Sequence, residues 1–448
     1  MEPKKTQLLK IVHPMRKQID FSGDRIRLGA GTYYLPDNFF YDYGDRDIIL
    51  DCIPGKTFIT SDFKQPPLLD ITIPDKNKDG IYVVWRHEYF EYGGGCAHLN
   101  LKDKGWNTGG KDCFYIQGTL LQKSQGVWSR YTPGFGLKSR GGFQIYGATF
   151  QNFAPYIFTP AGKTEKGSFV MHDCKFENVT RVFGPQVYAG VQKGIELSHL
   201  ECYPSDGQFR FDRFEINNCI YEQVNTHILN GCPPSGRIII SGNKVYESQT
   251  IFTAFNLFMK SYDLSKQLCS RSIQTISNNW MYELNTQQYY TTSLIRTSGV
   301  SFVRDNSFQN TTANPIYLCG GSSKVERNNV VTDKDVTCIL IKGQKSNHDI
   351  NTNFIVAPKS RFVALEGESS VEISGRNNIK CSTVYSRVDQ TPGTEVLIEG
   401  NNITADRVVY LGSKIPTTFD KVTIQGNILN VKEQVATMNV DIKTEITQ

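Results

Sequence analysis

The chain predicts an all-β fold, a single-stranded parallel β-helix built as one continuous solenoid, and three observations carry that expectation. Between Gly118 and Asn427 a phrase recurs about every 24 to 26 residues: a short alternating apolar run, a Gly or Asn, then a second apolar pair. A repeat of that length marks an array of small units, because one unit cannot bury its apolar face alone and must stack on its neighbours. The alternation has period two and the runs are short and β-branched, which makes the units strands and not helical hairpins. Gly or Asn follows each strand, and both tolerate the left-handed backbone that a tight corner requires.

The clearest copies are Ile238-Ile239-Ile240-Ser241-Gly242-Asn243, Val371-Glu372-Ile373-Ser374-Gly375, Val396-Leu397-Ile398-Glu399-Gly400-Asn401 and Val422-Thr423-Ile424-Gln425-Gly426-Asn427. Upstream, Phe143-Gln144-Ile145-Tyr146-Gly147, Phe169-Val170-Met171-His172-Asp173 and Ile195-Glu196-Leu197-Ser198-His199 keep the phrase with other corner residues. Anchored on the Asn before the next apolar pair, the series is Asn218, Asn243, Asn279, Asn306, Asn329, Asn353, Asn378, Asn402 and Asn427. The successive steps are 25, 36, 27, 23, 24, 25, 24 and 25 residues, a register that holds to within one residue. Two readings of these asparagines stand, separate turn residues or a column of amides in which each bonds the next. Their regular recurrence favours the column.

No Pro/Ser-rich linker or charge block divides the chain. One solenoid over residues 41–430 is therefore expected, with 1–40 as an N-terminal cap or attachment segment and 431–448 as a polar C-terminal tail. Leu8, Leu9, Ile11 and Val12 suit a short capping helix. The net charge of +5 is spread without a basic run, which points away from nucleic acid as a partner. No apolar stretch approaches the roughly 18 residues of a membrane span, so no membrane partner is expected. Met-Glu-Pro-Lys-Lys is followed by no apolar signal core, and the eleven cysteines include no CxxC, so they read as reduced thiols of a chain made in a cytosol. No cofactor and no metal is expected. Glu196-x-x-His199-x-Glu201 carries ligand-type side chains, but in a strand the first two face opposite sides and nothing closes the set.

Two departures from the period mark insertions, near 248–270 and 85–135, and loops on a rigid scaffold are where function concentrates. The step of 36 leaves about 11 extra residues that include Phe252, Phe255 and Phe258. An apolar insertion must be covered, either by its own coil or by a neighbouring subunit, and contact with a second copy is preferred. The other region holds Trp85, Trp106 and Trp128 together with Tyr131. Flat rings with a polar edge suit the apolar faces of sugars, which makes these four the expected glycan contacts; the competing reading has them plugging the end of the solenoid.

In Phe214-Glu215-Ile216 and Ile195-Glu196-Leu197 the flanking apolar residues point inward, so both glutamates point outward. On adjacent coils the two carboxylates lie about 5 Å apart, where like charge raises one pKa and the spacing suits a retaining glycosidase. Glu196, Asp212 and Glu215 are thus the candidate catalytic acids, against the plainer reading of a solvated face neutralised by Arg210 and Arg213. His172-Asp173 reads as a corner and not as half of a catalytic pair.

The repeated phrase resembles the coils of the right-handed parallel β-helix superfamily that includes pectate lyases, polygalacturonases and phage tailspikes. Ile26-Arg27-Leu28-Gly29-Ala30-Gly31-Thr32-Tyr33-Tyr34-Leu35 is similar to the opening strand and Gly-Ala-Gly-Thr-Tyr turn common there, with Gly29 where Pro is usual. The resemblance covers most of the chain and implies a right-handed coil. The Asn-Thr-Asp, paired Asp, Gly-His-Gly and Arg-Ile-Lys pattern of polygalacturonases is absent, as are the calcium-carboxylate and basic sets of pectate lyases, so the fold alone does not license their chemistry. What the resemblance implies is a virion structural protein most like a tailspike or fibre subunit. Such a subunit is a homotrimer attached to other tail proteins, and it presents a rod to cell-surface polysaccharide with or without depolymerase activity. The alternative is a glycoside hydrolase or lyase acting on an acidic polysaccharide, located in the cytoplasm.

Overall fold

The protein is represented by a computed structural model, which describes residues 17, 19–20, 22–35, 40–42, 47–61, 136–139, 142–153, 158–160, 164–181, 209–226, 237–246, 252–253, 273–282, 293–297, 300–319, 321–388 and 395–447. Every regular element among them is a β-strand. Twenty-seven strands join in one continuous hydrogen-bonded array, which makes the described chain a single parallel solenoid.

Each strand pairs in parallel with its counterpart one coil on. The first face runs Arg25–Leu28, Ile48–Cys52, Phe143–Tyr146, Thr164–His172, Phe209–Asn217, Arg237–Ser241, Ile273–Ser277, Val300–Arg304 and Ser323–Glu326. The second runs Gly31–Leu35, Thr57–Ser61, Thr149–Phe153, Lys175–Arg181, Ile220–Thr226, Lys244–Tyr246, Trp280–Tyr282, Ser307–Gln309 and Asn329–Val331. A third takes in Phe252–Thr253, Ser293–Thr297 and Asn314–Cys319. Further along, single strands such as Phe354–Ser374 and Asn402–Gln425 run through the corners and contribute to more than one face. Phe40–Asp42, Gly136–Ser139 and Phe158–Pro160 form a separate three-stranded sheet beside the first coils.

The stack extends past both expected boundaries. Arg25–Leu28 and Gly31–Leu35 already pair with the next coil, inside the segment assigned to a cap. Ile428–Thr447 lies along Asn402–Gln425 as a further layer where a polar tail was expected. Leu429, Val431 and Val435 alternate inward along it and pack on the core, which outweighs the polarity of the residues between them.

From Gly147 on, left-handed backbone makes the corner between the first and second faces, with one such residue at most corners and two at Gly375-Arg376. Gly147, Asp173, Asn218, Gly242, Asn278, Asp305, Arg327, Thr352, Gly375, Arg376, Gly400 and Gly426 have φ between 54° and 71°. Glycine, Asn and Asp adopt that conformation at little cost, whereas Arg327 and Thr352 lose on the order of 1 kcal/mol. Partners offset the loss: Arg327 makes paired bonds of 2.8 and 2.9 Å to Asp305 on the neighbouring corner, and Thr352 Oγ1 donates to the Gly375 carbonyl. Gly242 is required for space as well, since a Cβ there would lie 2.5 Å from Asn218 Oδ1.

The next residue is the structural centre of each coil. Asn243, Asn279, Asn306, Asn328, Asn353, Asn377, Asn401 and Asn427 form a continuous amide ladder, Nδ2 to Oδ1, at 2.8–3.1 Å. Each Oδ1 also accepts the backbone N–H of the preceding Asn, as in Asn279 N to Asn306 Oδ1 at 3.1 Å. Each Nδ2 donates back to a strand carbonyl of the preceding coil, as in Asn306 to Ile276 O at 3.0 Å. The amides therefore satisfy main-chain groups that the corners leave inside the protein. Five of the expected anchors are rungs. Asn329, Asn378 and Asn402 sit one residue late, on the outward side, and Asn218 is the left-handed corner before Cys219. Cys219 N–H donates to Asn243 Oδ1 at 2.8 Å and starts the ladder. Cys174 and Cys219 continue the column toward the N-terminus, and their thiols bond the carbonyls of His172 and Asn217, two residues back, as the asparagines do. Cys52, Cys174, Cys219, Cys338 and Cys381 are free thiols, and burial raises the pKa of Cys219, Cys338 and Cys381, which suits inert packing groups.

Inside the solenoid, like side chains stack on like. Phe169 and Phe214 are 4.7 Å apart and near-parallel, and Phe150, Phe176 and Tyr221 continue a second column at 5.5 and 5.1 Å. Aliphatic residues take over further along, with Ile238, Ile276, Val303, Val325 and Ile350 among the buried. A polar thread crosses this core: His348 bonds Ser323 Oγ at 2.7 Å and Ser346 Oγ at 3.1 Å, and Ser346 bonds Ser369 at 2.9 Å.

Two measurements test this architecture. Asn306→Ala takes the acceptor from the Asn279 backbone N–H, one of two acceptors from Asn279 Nδ2 and a donor from the Ile276 carbonyl, and is expected to lower stability by about 3 kcal/mol, whereas Asn402→Ala on the outer surface changes it by less than about 0.5 kcal/mol; urea unfolding of both variants checks the difference. Burial lowers the pKa of His348 from 6.5 to about 4, so the unfolded chain binds the proton first. Stability is full above pH 6.5 and falls as pH drops toward 4, by up to about 3 kcal/mol. His348→Gln flattens that part of the stability–pH curve.

Candidate functional site

The strand Phe209–Asn217 places Arg213, Glu215 and Asn217 on the outer surface of the first face, because Phe214 and Ile216 between them are buried. Coil stacking then adds residues distant in sequence. His172 lies opposite Asn217 on the preceding coil, and Tyr146 lies opposite His172 one coil earlier. Arg213 Nη2 is 2.6 Å from Glu215 Oε2, and His172 Nε2 is 3.6 Å from the same oxygen. Asn217 Nδ2 is 3.5 Å from His172 Nε2, and the Tyr146 and His172 ring centroids are 5.7 Å apart with the planes tilted by 35°. Glu215 is partly covered: its side chain is 12% exposed, and Val170, which the register sets beside it, is 2% exposed.

The electrostatics favour an anion. Arg213, hydrogen-bonded to the carboxylate, holds the Glu215 pKa below its ordinary value; partial burial opposes this, and His172 adds to the lowering. Glu215 in turn raises the pKa of Arg213. Like-charge repulsion between Glu196 and Glu215 was expected to raise one of the two pKa values; Glu196 lies outside the described residues, and the cation beside Glu215 is Arg213. The residues directly before and after it in the stack are Val170 and Ile239, so neither position supplies a second carboxylate. A carboxylate held ionised accepts hydrogen bonds from hydroxyl or amide donors; it is poorly placed to donate a proton to a leaving group.

The other expected site residues are distributed as follows. Asp212 belongs to the same strand, at an irregularity where Phe211 pairs with Gly167 and Arg213 with Ser168, so that Asp212 is passed over by the register. Phe252 begins the short strand Phe252–Thr253 on the third face. Glu196, Trp85, Trp106, Trp128, Tyr131, Phe255 and Phe258 lie outside the described residues. His172 was passed over as a corner residue. The corner is Asp173, with φ of 56°, and His172 is the last outward residue of its strand. Its position two residues before the ladder column carries that signal in the sequence, once the column is known. Among the described residues no group of three or more His, Cys, Asp or Glu side chains converges to hold a metal.

Arg213→Ala is expected to return the Glu215 carboxyl toward its ordinary titration range, since its principal stabilising partner is gone. Side-chain carbon NMR of the glutamates, followed through the acid range, reads that shift directly.

No protein-family profile and no curated protein sequence matches the chain. Among solved structures, the Streptococcus pneumoniae surface protein and adhesin PfbA is similar over 74% of this chain and 94% of its own, at 12% sequence identity and a TM-score of 0.24. That level of likeness carries no functional argument. What this chain is shown to be is a parallel β-solenoid, on the register of its own strands.

Proposed function

We propose that the chain is an extended surface-binding rod that contacts glycans, and that it acts by binding and not by cleavage. The observation that carries this reading is the Glu215 site: a partly covered carboxylate held ionised by Arg213, with His172 and Asn217 beside it, is a set of hydrogen-bonding groups matched to sugar hydroxyls. A stiff stack supports the same reading, because side chains on successive coils stay at fixed spacing and a polymer meets them without ordering cost. The finer assignment, a tailspike or fibre subunit of a virion that self-associates as a trimer through the segment bearing Phe252, Phe255 and Phe258, rests on the sequence resemblance and on that apolar insertion.

The competing reading is a polysaccharide hydrolase, favoured by the 3.6 Å approach of His172 to Glu215. The two separate in one experiment, with light scattering for assembly state and reducing-end and unsaturated-product assays on a panel of bacterial surface polysaccharides. The binding reading expects retention of a polysaccharide with no products, and a Glu215→Gln variant that binds at least tenfold more weakly. Turnover by the parent chain, abolished in Glu215→Gln with binding spared, would establish the hydrolase in its place.

A further inference from the structure

The fourth tryptophan of the chain, Trp280, lies outside both insertions and anchors a second surface. Trp280 and Tyr282 point outward from one strand of the second face, since Met281 between them is buried. Their rings are near-parallel, at 9° and 5.6 Å between centroids. Tyr246 lies one coil earlier, opposite Tyr282 in the register, and meets Trp280 edge-on at 71° and 5.1 Å. All three side chains are half-buried. Three aromatic rings on the outer surface of a solenoid are not needed to fill its core, which is closed here by Val245 and Met281.

Hydrogen-bonding groups continue the surface on both sides. In the column of Tyr246 and Tyr282, Glu222 and Glu177 precede the rings and Gln309 follows them. Lys175 bridges both glutamates, with its Nζ 3.1 Å from Glu222 Oε2, and exposed Lys244 lies opposite Trp280. Among the described residues of this surface two lysines balance two glutamates, so they carry no net charge for a charged polymer to follow. Counting Gln151 before Glu177, the column spans five rung intervals of about 4.8 Å, or roughly 24 Å, the length of a short oligosaccharide.

We infer that Tyr246, Trp280 and Tyr282 form a stacking platform for an uncharged oligosaccharide, with Glu222, Lys244 and Gln309 as its polar edge. Flat amphipathic rings cover the apolar C–H face of a pyranose while edge groups take its hydroxyls, and the balanced charge selects a neutral glycan over an acidic one. This rests on the reading that the rod binds glycans, and adds a site on a different face from Glu215.

Calorimetric titration of the full chain with maltoheptaose, cellohexaose and laminarihexaose as neutral probes, and hexagalacturonate as an acidic one, tests it. At least one neutral probe is expected to bind. Trp280→Ala should weaken that binding at least tenfold, Trp280→Phe, which keeps a flat ring, less than threefold, and Lys432→Ala on a distant coil not at all. Tyr282→Ala serves the same test if Trp280→Ala does not fold. Neutral binding that Trp280→Ala leaves unchanged, or binding of hexagalacturonate alone, overturns the platform while leaving the glycan-binding rod in place. Binding of none of the four overturns both.

Discussion

The buried amide ladder is the interaction on which the rest of the molecule depends. A coil that turns a sharp corner carries main-chain N–H and C=O groups into the interior, where an unpaired group costs about 1–3 kcal/mol. One asparagine per coil meets three needs together: its oxygen accepts the N–H of the preceding corner, and its nitrogen donates to the next amide and back to a strand carbonyl. The left-handed residue before it aims the side chain inward. Because each amide must face the next, the ladder also sets the register of both flanking strands, and a slip by one residue would turn every apolar side chain outward.

Register then determines function. With the corner fixed, outward side chains fall into columns with a spacing of about 4.8 Å from one coil to the next, and residues far apart in sequence become neighbours. His172 and Asn217, 45 positions apart, meet in this way, as do Tyr246 and Trp280. Both groupings straddle interruptions of the repeat, between Arg181 and Phe209 in one case and between Tyr246 and Ile273 in the other. Chemistry on such a scaffold is written across coils as well as along them. The same arithmetic explains the ionised Glu215: its cation Arg213 is two residues away on the same strand face, and His172 is supplied by stacking.

Much of the fold was legible in the sequence and little of the site was. Period-two alternation and recurrent Gly-Asn corners point to stacked strands, and Asn243, Asn279, Asn306, Asn353 and Asn427 stand out as rungs unaided. Asn328, Asn377 and Asn401 are each followed by a second asparagine, and composition cannot tell the inward from the outward member of such a pair. Cys174 and Cys219 hold the same column with a different side chain, so the series of asparagines is anchored one coil early, on the corner residue Asn218. Glu215 was visible as an outward carboxylate between apolar residues, and Arg213 as its neutraliser. His172 and Tyr146 were not, because their neighbourhood is created by coil lengths that vary with the insertions. Trp280 was overlooked because three other tryptophans cluster in one irregular region, although it sits in a regular strand.

The most direct test of the account is amide hydrogen exchange at the ladder positions. The backbone N–H groups of Asn279, Asn306, Asn328, Asn353, Asn377 and Asn401 sit at corners, yet each donates to an asparagine Oδ1 on the next coil, buried in all but the last. The account predicts that they exchange as slowly as the central strand amides beside them and are released together when the stack opens. Exchange of these six amides at the rate of ordinary surface turns, while the flanking strands remain protected, would contradict it.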